Sequence, residues 1–199
     1  MKIIVVGATG TIGKAVVAAL QSDHQIVKVG SKSGDAQVDI KDSSSIRALF
    51  EKVGKFDALI STVGKVHFGE FAKLTEKEVE VGLKDKLMGQ INLVLIGRDY
   101  ANDGASFTLT SGVLNHEPIR YGACASLVNG AIDAFVKAAA IELPRGLRIN
   151  SISPGVLEES LPSYGPYFKG HEAVPGKRVA NAYVKSVEGL LTGQVLTVF

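Results

Sequence analysis

The chain has no tryptophan, one cysteine and two methionines in 199 residues. A lone Cys124 cannot close an intramolecular disulfide, so nothing here is a disulfide-stapled secreted scaffold, and a reducing, cytoplasmic setting is expected. Charge of one sign is also missing: 22 basic side chains face 20 acidic ones. That balance offers no electrostatic footprint for nucleic acid or an anionic membrane, and neither partner is expected. No apolar run reaches the roughly 20 residues of a membrane span. The opening MKIIVVGATG has a lysine and a short apolar run, but it meets a glycine turn before a signal-peptide core is complete, and it reads as a strand. His67 and His116 belong to no metal-ligand spacing, and no metal is expected.

What is present is an alternation. Apolar, β-branched runs at Ile3–Val6, Ile26–Val29, Gln37–Ile40, Ala58–Ser61, Phe107–Thr110, Arg148–Ile152 and Val195–Val198 read as strands. Several are apolar at every position, as strands buried on both faces of a parallel sheet are. Helical patterns lie between them near 12–22, 43–54, 75–101, 121–142 and 175–190. Ser43 or Ser44 and Thr75 are the expected caps of the second and third helices. The fold class is therefore α/β, a doubly wound parallel sheet of about seven strands in three layers, forming one domain over residues 1–199. Residues 154–176, rich in proline and glycine, form the longest loop region.

The first strand runs into GATGTIG, residues 7–13. At this place Gly7 permits a tight turn, Gly10 lets a pyrophosphate approach the backbone, and Gly13 lets the helix lie close on the sheet. The free N–H groups and positive end of that helix suit the phosphates, so Gly7, Ala8, Thr9, Gly10, Thr11, Ile12 and Gly13 are expected to bind a dinucleotide. After the second strand the chain reads Gly30, Ser31, Lys32, Ser33, with no carboxylate at the tip. Ser31 and Lys32 suit a ribose 2′-phosphate, which predicts NADP(H) in preference to NAD(H); the competing reading places Asp35 on an NAD ribose.

With GATGTIG, VDI, DALISTVG and RINSISPG in this order, nearly the whole chain resembles the short-chain dehydrogenase/reductase family. The resemblance implies that Asp39 and Ile40 lie beside the adenine, that Ser61, Thr62, Val63 and Gly64 replace the family's Asn-Asn-Ala-Gly, and that Pro154 and Gly155 close over the nicotinamide. The family's threonine beyond that glycine falls at Glu159. Family chemistry uses a tyrosine as proton donor, a lysine four residues later, a serine that orients substrate and an asparagine that anchors a proton relay. Ser111 in TLTSG matches the serine. The tyrosine position falls on Ala125 and the lysine position on Asn129, and no Tyr-x-x-x-Lys occurs anywhere in the chain. At the asparagine's place stands Lys86, in KLMG.

Lys86 is accordingly expected to bring an ammonium to the vacated site, the alternative being a solvated helix lysine like Lys84. Tyr121 lies one turn before Ala125 and is not expected to transfer protons. Tyr164 and Tyr167, in the region that forms the family's substrate lid, are expected to line the substrate pocket. On the helix 121–142, Val128, Ile132, Phe135 and Ala139 make a stripe for the sheet, while Ala131, Ala134 and Ala138 make a second face. The resemblance implies a homodimer or tetramer through helices 75–101 and 121–142. Three functions stay open: an NADP(H)-dependent oxidoreductase of a small carbonyl or alcohol with displaced acid/base groups, a silent NADP(H) sensor or scaffold, and a non-redox isomerase or lyase.

Overall fold

The computed structural model describes all residues from Met1 to Phe199. Seven strands form one parallel sheet in the order β3-β2-β1-β4-β5-β6-β7. They are β1 (Lys2–Val6), β2 (Gln25–Gly30), β3 (Ala36–Gln37), β4 (Phe56–Ser61), β5 (Ala101–Thr110), β6 (Arg148–Pro154) and β7 (Val195–Val198). The order reverses between β1 and β4, the switch point at which such sheets open a crevice at the carboxyl ends of their strands.

Alternate residues of β1 explain the three layers. Ile4 and Val6 point to one side, into a core with α2 (Ser43–Val53), α4 (Met88–Gly97) and α5 (Ala123–Ala139). Ile3 and Val5 point to the other, into a core with α1 (Thr11–Leu20) and α7 (Gly176–Glu188). Both faces are thus removed from water, which is why the strand sequences do not alternate. No helix is long and apolar enough to cross a membrane.

Most element bounds match the sequence pattern, and the departures have local causes. The third strand stops at Gln37 rather than Ile40, because Ser45 Oγ accepts the Asp39 N–H (2.9 Å) and Asp39 Oδ1 takes that of Lys41 (3.0 Å), turning the chain away. β5 starts six residues early, at Ala101, across a register shift opposite Phe56 and Ala58. The cap of α2 is Asp42, whose Oδ1 accepts the Ser44 N–H at 2.8 Å, and not either serine. Thr75 does cap α3 (Glu76–Gly82), in a reciprocal box with Glu78. The expected long helix 75–101 is continuous from Glu76 to Gly97 and ends earlier than expected, with α3 passing through a π-helical turn, Leu83–Leu87, into α4. The helix expected from residue 121 begins only at Ala123, because Tyr121 takes a left-handed φ of 71°.

The lid region carries short helical turns at Glu158–Ser160, α6 (Leu161–Tyr164) and Gly165–Tyr167. A parallel bridge joins its two ends, Leu157 and Val174. Glu159, where the family's threonine was expected, closes the same base differently: both of its carboxylate oxygens accept the Gly176 N–H that opens α7.

Gly13 is the tightest point in the fold. A Cβ there would overlap the Gly7 carbonyl and the Ala8 Cα. Because both obstacles are backbone, Gly13→Ala is expected to cost about 3 kcal/mol or more. Thermal unfolding followed by circular dichroism should show the variant melting many degrees below wild type, or failing to fold; an unchanged midpoint would refute this packing.

Candidate functional site

The glycine turn, the loop after β4, the end of β5 and the end of β6 converge at the carboxyl edge of the sheet. Gly7 adopts φ 89° and would place a Cβ 2.7 Å from both Thr62 Oγ1 and Val63 Cγ1, so the two loops touch through it. Thr62 strengthens that join by donating its hydroxyl to the carbonyls of Val6 (3.1 Å) and Gly7 (3.2 Å). α1 starts from Gly10 with no side-chain cap and no acidic residue in its first turn. A Cβ on Gly10 would meet nothing closer than 3.4 Å, while Thr9, Gly10 and Thr11 are exposed. An uncapped helix N-terminus with open approach is what a pyrophosphate requires, and these residues fit one.

The turn after β2 is equally open. Ser31 and Lys32 are exposed in the turn after β2. Asp35 is engaged elsewhere, its Oδ2 accepting the Lys28 N–H at 2.8 Å. Asp39 is exposed, whereas Ile40 is buried and packs its side chain where a Cβ on Gly89 would otherwise sit. Ser61 lies deeper than a ligand contact would: it is fully buried, and its carbonyl accepts the Thr110 hydroxyl at 2.5 Å.

At the centre of the convergence is a cavity of about 270 Å³. Ile12, Val63, Gly64, Ser111, Pro154 and Gly155 line it, with Lys86, Asn129 and Tyr164. Lys86 belongs to the π turn, and its Nζ donates to the Ser111 carbonyl (2.7 Å) and to Asn129 Oδ1 (2.7 Å). Asn129 is held in that orientation because its Nδ2 donates to the Gly112 carbonyl at 3.1 Å. The aliphatic stem of Lys86 lies on Gly64, which has φ 128° and no room for a Cβ. Burial in this setting pushes the ammonium down to about 8, against a smaller upward pull from Asp133. Ser111 is itself buried, and its hydroxyl finds a long partner, the Ile152 carbonyl at 3.4 Å.

The two residue types absent from their expected places have therefore been exchanged. The lysine sits on the π turn where the family resemblance expects asparagine, and the asparagine sits on α5 where it expects lysine. The two side chains touch, so an ammonium occupies the same region from the opposite helix. Neither half of the exchange is visible as a pair in the sequence, since Lys86 and Asn129 lie 43 residues apart. A solvated role for Lys86 is excluded by its bonds; Lys84 is the solvated lysine, paired with Glu80 at 2.5 Å.

A second chamber of about 640 Å³ adjoins the first and shares Phe68 and Tyr164 with it. Tyr121 and Tyr167 line it as an edge-to-face pair with centroids 6.1 Å apart. Sequence reasoning placed Tyr164 and Tyr167 here but missed Phe68 and the part played by Tyr121. The left-handed φ of Tyr121 turns its ring out of α5 into the chamber, with the Arg120 guanidinium 4.8 Å from the ring centroid. His67 lines this chamber, while His116 lies outside both, 3.9 Å from Asp133.

The chain is similar to several known proteins. A family model described as enoyl-(acyl carrier protein) reductase matches residues 6–185. The chain is 26% identical over 176 residues to an uncharacterized oxidoreductase of Methylorubrum extorquens, covering 76% of this chain and 71% of that one. The crystal structure of the protein lin1944 from Listeria innocua is 47% identical over the full length of both chains, with a TM-score of 0.99. A small-chain dehydrogenase solved in complex with NADPH is 26% identical, with a TM-score of 0.88 over 100% of this chain and 96% of its own.

The lowered Lys86 affinity for protons has a consequence for stability. Between about 8 and the ordinary lysine value of 10.5, the unfolded chain binds a proton that the folded one does not. Stability contributed at this position therefore rises with pH across that window, and burying the charged form is a cost below it. Urea unfolding of wild type and Lys86→Met should show the difference moving in favour of wild type from pH 8 to pH 10; a flat difference would mean that the folded site does not depress this ammonium.

Proposed function

The chain belongs to the short-chain dehydrogenase/reductase family, and from that premise we propose that it is an NADP(H)-dependent oxidoreductase interconverting a small carbonyl compound and its alcohol. The observation that carries this reading is the Lys86 ammonium, fixed beside Ser111 in the cavity that the glycine turn and Pro154-Gly155 enclose. Bound there, the nicotinamide supplies the hydride. The residues of this chain do the rest. The backbone from Gly7 to Gly13 takes the pyrophosphate, and Ser31 and Lys32 take the 2′-phosphate. Asp39 and Ile40 flank the adenine. Thr62, Val63, Gly64, Pro154 and Gly155 frame the nicotinamide, and Ser61 supports that loop from beneath.

Ser111 and Lys86 face the substrate oxygen. A positive charge in a site poor in water is worth far more than in bulk solvent, and it stabilises the negative charge that grows on a carbonyl oxygen as hydride arrives. Tyr164 and Tyr167 line the substrate's outer chamber with Phe68 and Tyr121. Four rings in that lining favour a substrate whose remaining bulk is flat and apolar.

A homodimer or tetramer completes the proposal. Val81, Met88 and Leu95 recur every seven residues along the helices between 75 and 101 and are all at least 40% exposed, as is Leu127 on α5. Ala134 and Ala138 continue that bare surface. A partner copy would cover it through a symmetric contact. The unpaired, buried Cys124 suits the cytoplasm.

Calorimetric titration should give NADPH at least tenfold tighter binding than NADH, and Lys32→Ala should close most of that gap, about 1.5 kcal/mol for one charge-assisted bond. Equal wild-type affinities would remove the NADP(H) assignment. On a panel of aldehydes and ketones with NADPH, Ser111→Ala should lower kcat/KM by about 100-fold. Tight NADPH binding without turnover on that panel would favour a sensor. In sedimentation velocity, wild type should run as a dimer or tetramer and Leu95→Glu as a monomer; a monomeric wild type would refute the interface.

A further inference from the structure

We propose that Lys86 is itself the acid/base of the reaction, its Nζ giving a proton to the substrate oxygen during reduction and taking one back during oxidation. This rests on the oxidoreductase reading above and supplies what that reading lacks, a proton donor in a chain without the family's tyrosine.

The first argument is an inventory. Among the residues that line the inner cavity, Lys86 and Tyr164 alone carry an ionisable side chain. Tyr164 is 44% exposed on the lid, with no hydrogen-bond partner to tune or aim its hydroxyl. Tyr183, the other phenol near β5, is fully buried behind Thr110, to which it is bonded at 2.6 Å, and burial pushes its pKa well up. Cys124 is buried and outside the lining. Of the two ionisable side chains in the lining, only Lys86 is held in place by hydrogen bonds.

The second argument is stereochemical. An ammonium has three N–H bonds. Two of them are used by the Ser111 carbonyl and Asn129 Oδ1, and no protein acceptor takes the third. Both partners are neutral oxygens. After one proton leaves, the amine keeps both of these bonds and presents its lone pair where the third N–H had been. The two protonation states thus share one frame, and proton transfer needs no rearrangement of the residues that hold the nitrogen.

The surrounding charges leave both states accessible. From α5 comes Asp133, which is buried and already accepts from Ser151 Oγ (2.7 Å) and Asn115 Nδ2 (2.9 Å), with His116 beyond it. On the helix of Lys86 itself, Asp85 accepts the Lys65 N–H at 2.8 Å. The lid contributes Tyr164, and the ends of β4, β5 and β6 contribute no ionisable side chain to the cavity. A lysine in contact with a carboxylate would be locked in its charged form; this one has none in contact. The downward shift to about 8 agrees with that geometry.

The step balances. In reduction, a hydride from the reduced nicotinamide forms a C–H bond at the carbonyl carbon, and the C=O π pair takes a proton from Nζ. An N–H bond breaks, an O–H bond forms, the nicotinamide is oxidised and the carbonyl reduced. Lys86 is left neutral and is reprotonated by solvent when the alcohol leaves.

The test separates proton donation from mere positive charge. Lys86→Arg keeps a cation that does not release its proton. It should bind NADPH within a few-fold of wild type yet lose at least about 100-fold in kcat. In wild type, kcat/KM for reduction should fall as pH rises through the Lys86 titration, and that for oxidation should rise. Lys86→Cys alkylated with 2-bromoethylamine, with the native cysteine shielded by burial, restores a slightly more acidic amine. It should recover turnover with its pH profile displaced to lower pH. Independently of turnover, NMR of protein labelled with ¹³C at the lysine ε carbon, without cofactor, should show one resonance titrating well below the other lysines and absent from Lys86→Arg. Activity in Lys86→Arg within tenfold of wild type, a Tyr164→Phe variant that alone abolishes turnover, or a Lys86 resonance titrating with the bulk lysines would each overturn the proton role. No turnover by wild type on any carbonyl or alcohol would instead overturn the oxidoreductase reading beneath it.

Discussion

One nitrogen ties the working end of this molecule together. Lys86 Nζ is bonded to the end of β5 and to α5, while its stem lies across the loop after β4. An ammonium is costly to take out of water, and two neutral acceptors compensate for only part of its lost hydration. A protein that tolerates this has a site whose polarity is built around a single cation. The π turn carrying Lys86 follows from the same demand: π turns concentrate at functional sites because they re-aim a side chain that a regular helix would direct elsewhere.

The rest of the crevice is ordinary for its topology, and that contrast is informative. The glycine turn and the β6 terminus are backbone devices, joined to the loop after β4 by the Thr62 hydroxyl. Acid/base chemistry belongs to side chains, and it can migrate provided a proton-bearing group still reaches the same point in space. The exchange of lysine and asparagine between two facing helices proposed above meets that condition, since the ammonium still reaches the cavity. It also explains how a chain can depart from its family's catalytic pair while keeping the family's cofactor frame.

Legibility in the sequence followed the range of the interactions. The strand β7, the cap at Thr75 and the glycine turn were readable because each is decided by residues adjacent in the chain. The cap at Asp42 was misread by one residue, since three serines in a row offer the same chemistry and only the backbone angle chooses. β3 was drawn too long because Val38 and Ile40 alternate with Asp39 as in a strand, whereas a serine on the next helix ends it. The Lys86–Asn129 contact and the buried Asp133 depend on how two helices face each other, and periodicity carries no record of that. Tyr121 needed a left-handed backbone, which is uncommon for a bulky residue and has no sequence marker.

The base of the lid deserves a mechanical reading. With Leu157 bridged to Val174 and Glu159 fastened to the first amide of α7, the segment leaves and rejoins the domain at nearly one point. The bridge and the Glu159 bond hold the two ends of this segment together, so the residues between them form a loop closed at its base. Its tip carries Tyr164 and Tyr167, both exposed. Because Tyr164 lines both chambers, a change in the shape of that tip reaches the inner cavity as well as the outer one.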